Sequence, residues 1–510
     1  VYKEGVTIVL QLRKEGGLIM WDDYEDEFED EEMEGEDYRI PKTPDKTHEG
    51  AKQYEHSLDH AVEFFSKAGS LFIKKGTFYG SEDSALSLFQ KTWIVDPTVS
   101  FKLLLWLRDC RGGAGNRSGF RACLGWLAKE DPRWIDLNIG WIPLVGRWDD
   151  LRTLFGTECE KIAVKLWTHA LSEKDVLAAK WADRSDKPLR RAGSLNERAF
   201  RKILAEIRKD HIVEYKMCSN QWNKITYEHV PSVAMARYTK AFGRHDAERF
   251  EAYKEALEKG KATIHSDVLF PHDCVRTVLS GDSKIADAQF DALPNYMETG
   301  ARPIVVCDTS GSMSTAVSGS VQAVHISQGM ALYCSAKIPK DNPFYKKFLA
   351  FCSEGKLKDW NGMKFSQAVK SHTIFDGAVG STQIAKALRT LLKAAKFFNV
   401  SKEGMPNMLL IVSDMQFHQG TTGKKAEVEN VLDEWLEAGY DIPQVVYWNT
   451  TGYAGQPTTT KHKNVALVSG FSPAILKAIF GAEDLTPKGV MLRTLEKYKI
   501  KIPRKRRTKG

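Results

Sequence analysis

The chain has 510 residues, 27% of them charged and 42% hydrophobic, with a formal net charge of +7. That length gives a prior of about two to four domains with a sizeable core. No window approaches about 18 consecutive apolar residues, which argues against a transmembrane helix, and the first residues lack the apolar core of a signal peptide. Eight cysteines (Cys110, Cys123, Cys159, Cys218, Cys274, Cys307, Cys334, Cys352) show no CxxC and no metal-ligand spacing. They read as reduced, mostly buried thiols of a cytoplasmic protein.

In chain order, residues 1–19 are odd. Lys14-Glu15-Gly16-Gly17 lies just upstream of Met20 and is what a ribosome-binding sequence encodes when read in frame. Met20 is therefore expected to be the true start, in a bacterial or phage gene. Asp22 to Asp37 carries twelve carboxylates and no basic residue. Residues 1–50 are expected to be disordered, as a solubilising tail or a competitor of nucleic acid. Set apart from a net +7, the acidic run leaves a body of about +19. A body so charged is the footprint of a nucleic-acid binder, or simply a basic solvated surface.

From 51 to 299 the periodicity is helical, with almost no strand alternation. Helices are predicted over 61–72, 84–93, 97–108, 120–129, 132–139, 143–154, 158–171, 173–183, 195–209, 211–219, 231–243 and 245–259. Asp96 is placed at an N-cap with Pro97 at the first helical position. Short loops between successive helices suggest a HEAT-type α-solenoid, a ring or an arc, with degenerate repeats. From 300 to 500 strands (303–308, 346–353, 408–413, 443–449, 464–469) alternate with helices (321–337, 382–398, 424–438, 473–480, 487–498). This predicts a doubly wound parallel sheet. Residues 501–510 form a basic tail.

Asp308-Thr-Ser310-Gly-Ser312 closes the first predicted strand and supplies one carboxylate and two hydroxyls. Ligands bind at the carboxyl ends of strands in such sheets, and hard oxygens suit Mg²⁺ or another divalent cation. The competing reading is a Ser-rich turn capping a helix. Thr382 opens a later helix, and Asp414 ends the strand Met408–Ser413. With that strand beside the first, all five oxygens can converge on one cation.

Asp-x-Ser-x-Ser, the later Thr and the strand-terminal Asp resemble the metal-ion-dependent adhesion site of von Willebrand factor A domains. Gly380-Ser-Thr departs mildly from the commoner Gly-Gly-Thr. In the helical half, Leu107-Arg108-Asp-x-Arg111-Gly-Gly-x-Gly, Ile142-Pro-x-x-Gly-Arg147-Trp-Asp-Asp-Leu and Val230-Pro-Ser-x-Ala-Met are similar to the TROVE module of the Ro autoantigen family. The match to Ro proteins is distant, and a nearer resemblance is to Ro-like proteins of phages, bacteria and plants. It implies a HEAT-like ring closed by an A domain. Structured small RNAs would bind outside the ring and single-stranded ends in its hole.

Two cation clusters agree with an RNA partner. Arg237, Lys240 and Arg244 are spaced to share one helix face, and Arg191, Arg198, Arg201 and Lys202 form the second. Arg guanidinium groups suit phosphate. The alternative is a solvated face with local salt bridges to Asp246 and Glu248. Arg108, Asp109 and Arg111 are expected to pin helices together, and Trp106 and Trp148 to be core. No P-loop is present, because Gly420-Thr-Thr-Gly-Lys-Lys lacks the spacing, and no Gly-x-Ser-x-Gly occurs. The chain is thus expected not to be an enzyme. Beside RNA binding stands a second expectation, a metal-dependent scaffold for an acidic protein ligand or a phage structural component.

Overall fold

The computed structural model describes residues 59–71, 84–209, 211–266, 268–297, 302–318, 321–351, 355–375, 384–415, 427–452, 465–480 and 485–504. The acidic run, Thr382, Cys352 and the last basic residues lie outside them. Among the described residues the elements from His60 to Asp291 are all helical, and the helices named below are α1 (His60–Lys67), α2 (Pro97–Arg108), α3 (Glu197–Arg208), α4 (Ser232–His245) and α5 (Pro271–Ser280). Asp59 caps α1 by accepting from the Ala61 and Val62 amides. Asp96 caps α2 through Thr98 and Val99, with Pro97 at the first turn, as its sequence predicts. Aromatic side chains fill the layer between helices. Phe64 and Phe65 lie against Trp106, and Trp93 against Trp126 and Trp134. Trp106 is buried and Trp148 packs on the same core. Helices at Lys187–Ala192, α5 and Ser283–Asp291 add to those predicted.

The second half is a six-stranded sheet: β1 (Pro303–Asp308), β2 (Lys347–Phe351), β3 (Gly355–Asp359), β4 (Met408–Ser413), β5 (Gln444–Asn449) and β6 (Val465–Ser469). The spatial order is β3-β2-β1-β4-β5-β6. Five strands are parallel, and β3 is not, for it returns antiparallel beside β2. The doubly wound sheet expected from sequence is present and mostly parallel, with one antiparallel edge strand added to it. Lys356 stands exposed on β3, a charge on the edge strand that discourages further strand pairing. The arrangement is that of a von Willebrand A-like α/β domain.

Alternation along the strands feeds two cores. Val305, Cys307, Leu410 and Val412 join a cluster continuous with the helical domain and α6 (Ala323–Lys337). Ile304, Val306, Leu409 and Ile411 face α7 (Ile384–Phe397) and α8 (Glu427–Glu437).

The helical arc begins and ends on this domain. The Gly69 amide donates to Ser469 Oγ (3.1 Å), Ser70 Oγ to the Asn449 carbonyl (2.7 Å), and Ser469 Oγ to the Phe65 carbonyl (2.7 Å). At the far end α5 lies on α6. A Cβ on Gly329 of α6 would stand 2.7 Å from the His272 nitrogen, so only glycine permits the approach. The Phe270 ring also lies over Gly115, near the start of the arc.

Candidate functional site

Register places the ends of β1 and β4 side by side, because Cys307 pairs with Val412. Asp308 is fully buried there. Its Oδ1 accepts from the Ser310 amide (2.9 Å) and its Oδ2 from the Ser413 hydroxyl (2.5 Å). The Ser310 and Ser312 hydroxyls stand 3.1 Å apart. Ser310 is buried and Ser312 exposed, so the set runs from the interior to the surface. Asp414 is buried too. Met415 follows in a left-handed conformation (φ 65°) and donates its amide to Ser413 Oγ. Burial, and next the facing Asp414 carboxylate, push the Asp308 carboxyl up to about 7, against the hydrogen bonds from Ser413 and Ser310.

The structure therefore brings Asp308, Ser310, Ser312 and Asp414 to one edge of the sheet, while Thr382 lies outside the described residues. Two carboxylates that repel each other and two hydroxyls make a hard-oxygen donor set, which fits Mg²⁺. Among the described residues no three or more His, Cys, Asp or Glu gather around a metal-sized point, so such a set depends on its hydroxyl oxygens. Ser413, absent from the sequence prediction, holds the Asp308 carboxylate. Its signal was its place as the last residue of a strand predicted to lie beside β1.

The seven predicted RNA-contacting cations are all exposed. Arg198, Arg201 and Lys202 stand on α3, Arg237, Lys240 and Arg244 on α4, and Arg191 at the end of the helix Lys187–Ala192. Asp246, the expected local partner of α4, instead pairs with Arg249 (2.8 Å) and accepts from the Tyr227 hydroxyl (2.6 Å). The Arg237 side chain bonds Tyr238.

Arg108, Asp109 and Arg111 are structural. Arg108 Nε donates to the buried Asp150 (2.7 Å), which Arg121 also reaches (2.7 Å). Asp109 accepts from the amides of Arg111 and Gly112, from Lys497 Nζ (2.8 Å) and from the Tyr498 hydroxyl (2.9 Å). The Gly-rich turn thus joins the two halves. The seven described cysteines are free thiols, five of them buried. No helix among the described residues is long and apolar enough to cross a membrane.

Comparison with known proteins adds relatives. An uncharacterized protein of Acanthamoeba polyphaga mimivirus is 25% identical over 517 aligned residues, covering 89% of this chain and 87% of its own. The crystal structure of the Deinococcus radiodurans Ro (RSR) protein aligns with 86% of this chain and 99% of its own, with a TM-score of 0.46 and 13% identity. A family model described as domain of unknown function DUF7788 matches residues 302–508. A second, domain of unknown function DUF2828, matches 47–148 and 135–301, which together span half of the 510 residues. The chain belongs to the DUF2828 family.

Proposed function

We propose that this chain is an RNA-binding protein that takes small structured or single-stranded RNA on the basic face of its helical arc. Asp308, Ser310, Ser312, Thr382 and Asp414 would hold Mg²⁺ at the carboxyl edge of the sheet. The observation that carries the proposal is the state of the cations. Among the described residues, Arg198, Arg201, Lys202, Arg237, Lys240 and Arg244 are exposed and none is ion-paired with a carboxylate. Cations not neutralised by carboxylates on helix faces are what phosphate contacts need. The resemblance of the Gly-rich and Arg-Trp-Asp-Asp motifs to the TROVE module supports the same reading. The reading is one of binding, not catalysis, in the cytoplasm of a bacterial or phage-infected cell. A gel shift with labelled small RNAs over a salt titration tests it. Affinity should fall steeply with salt. Binding no tighter than that of a charge-matched control protein rejects it.

A second reading rests on the exposed Ser312 hydroxyl at the lip of the buried carboxylates. A cation there would keep a coordination position open to solvent, where an acidic protein ligand could enter. In that case the protein is a metal-dependent scaffold or a phage structural component. Protein captured from host extract by the wild type but not by Asp308→Ala, with no RNA enriched, favours this reading.

A further inference from the structure

One surface outside both sites combines apolar and cationic groups. Phe397 and Phe398, at the end of α7, are 79% and 69% exposed. Their rings are perpendicular, with centroids 5.0 Å apart. Burying such rings is favourable, so two adjacent ones left in water mark a surface that something covers. The helix leading to them is cationic on the same side. Lys386, Thr390, Lys393 and Phe397 follow the spacing i, i+4, i+7, i+11, which is a single stripe along a helix. Lys386, Lys393 and Lys396 are exposed, and none is in an ion pair among the described residues. Glu434 on α8 pairs with Arg389 of α7, and Asp441 with Lys402. The pair sits at the amino-terminal edge of the sheet. The Val400 carbonyl, just beyond it, accepts from Tyr440 ahead of β5, and Asn407 ahead of β4 accepts from the Arg302 amide ahead of β1. It is therefore at the opposite end of the sheet from Asp308 and Asp414.

We infer that α7 carries a second nucleic-acid contact, a stacking platform for single-stranded RNA. The inference rests on the RNA-binding reading above and extends it to the α/β domain. The lysine stripe supplies phosphate contacts, and the two rings supply π-faces. A base lying flat on one of two perpendicular rings stands perpendicular to the other and can turn its edge toward that ring's face, the geometry that aromatic quadrupoles favour. Sequence-tolerant binding of single strands uses this combination of cations and exposed aromatics. A double-stranded RNA covers its base faces except at its two ends and would gain little from the rings.

The test measures binding of a fluorescent 15-nucleotide oligouridine and of a blunt RNA duplex to the full chain, with sedimentation of each protein. Phe397→Ala/Phe398→Ala should weaken oligouridine binding at least about tenfold and leave the duplex within about twofold. Lys386→Ala/Lys393→Ala/Lys396→Ala should weaken both ligands and reduce the salt slope by about three. Unchanged oligouridine binding in the ring variant, with loss on reversing Arg198, Arg201 and Lys202, overturns the platform and leaves the RNA reading intact. No RNA binding by the wild type overturns both. A dimer of the wild type that the ring variant dissociates, with RNA binding unchanged, also overturns it and assigns the rings to a second copy of the chain.

Discussion

Asp109→Ala is the sharpest test of how the two halves are joined. The Asp109 carboxylate is 1% exposed and accepts four hydrogen bonds, two within the Gly-rich turn and two from the far end of the chain. Removing it takes the acceptor of the 2.9 Å bond from the buried Tyr498 hydroxyl, at about 1–3 kcal/mol. The turn loses the acceptor of its Arg111 and Gly112 amides, worth about 1 kcal/mol. Lys497 is 43% exposed, so its ammonium returns to water and its share is under about 1 kcal/mol. These terms overlap, and a loss of about 2–4 kcal/mol is expected. Asn should cost less, because its oxygen can still accept from the turn amides. Urea unfolding followed by tryptophan fluorescence measures it, with Trp141 beside Tyr498 as a local reporter. A midpoint within about 0.5 kcal/mol of wild type refutes the role assigned to this residue. The pH dependence adds a check. Burial alone would raise the Asp109 carboxyl, but Lys497 and the turn amides outweigh it and the net shift is downward. Its stabilisation is therefore present above the ordinary carboxylate value of about 3.9 and lost as pH falls through the lower folded value. Asp109→Asn and wild type should converge in acid.

Gly329→Ala would drive a methyl group into the backbone of Pro271 and His272, so α5 must shift from α6. A loss of about 3 kcal/mol or more is expected by thermal unfolding, with far-UV circular dichroism retained before the transition. At the sheet edge, the raised Asp308 carboxyl makes the metal-free protein less stable as pH climbs from the usual carboxylate range through about 7. Saturating Mg²⁺ should flatten that slope in differential scanning calorimetry, and Asp308→Asn should abolish the slope and the response to Mg²⁺ together. Replacing Arg198, Arg201 and Lys202 by Glu should weaken RNA binding and lower the dependence of log K on log salt by about three, read by gel shift.

Much of this was legible in the sequence because the strongest signals are local. The apolar run from Pro303 to Cys307 ending in Asp308, and Met408 to Ser413 ending in Asp414, gave β1 and β4 to the residue. Asp96-Pro97 fixed the start of α2 by cap chemistry. The β3 edge was missed because Gly355-Lys-Leu-Lys-Asp has one apolar residue in five, and only pairing with β2 makes it a strand. The hold of Ser413 on Asp308 was missed for another reason. It depends on the register of two strands 105 residues apart in sequence, and register is a tertiary property. The Asp109 contacts with Lys497 and Tyr498 span still longer separations, which no local pattern encodes.

The seating of α1 on β6 has a consequence for the order of assembly. Phe65 and Gly69 meet Ser469 across about 400 residues of chain. During synthesis α1 emerges about 400 residues ahead of its partner strand. Until that strand follows, the apolar face of α1, with Val62, Phe64 and Phe65, lacks part of its cover. A chain stopped near residue 300 should therefore emerge with that face open and be prone to aggregate or to recruit chaperones. The α/β domain is in this sense the last stone set, and the helical half waits on it to finish folding.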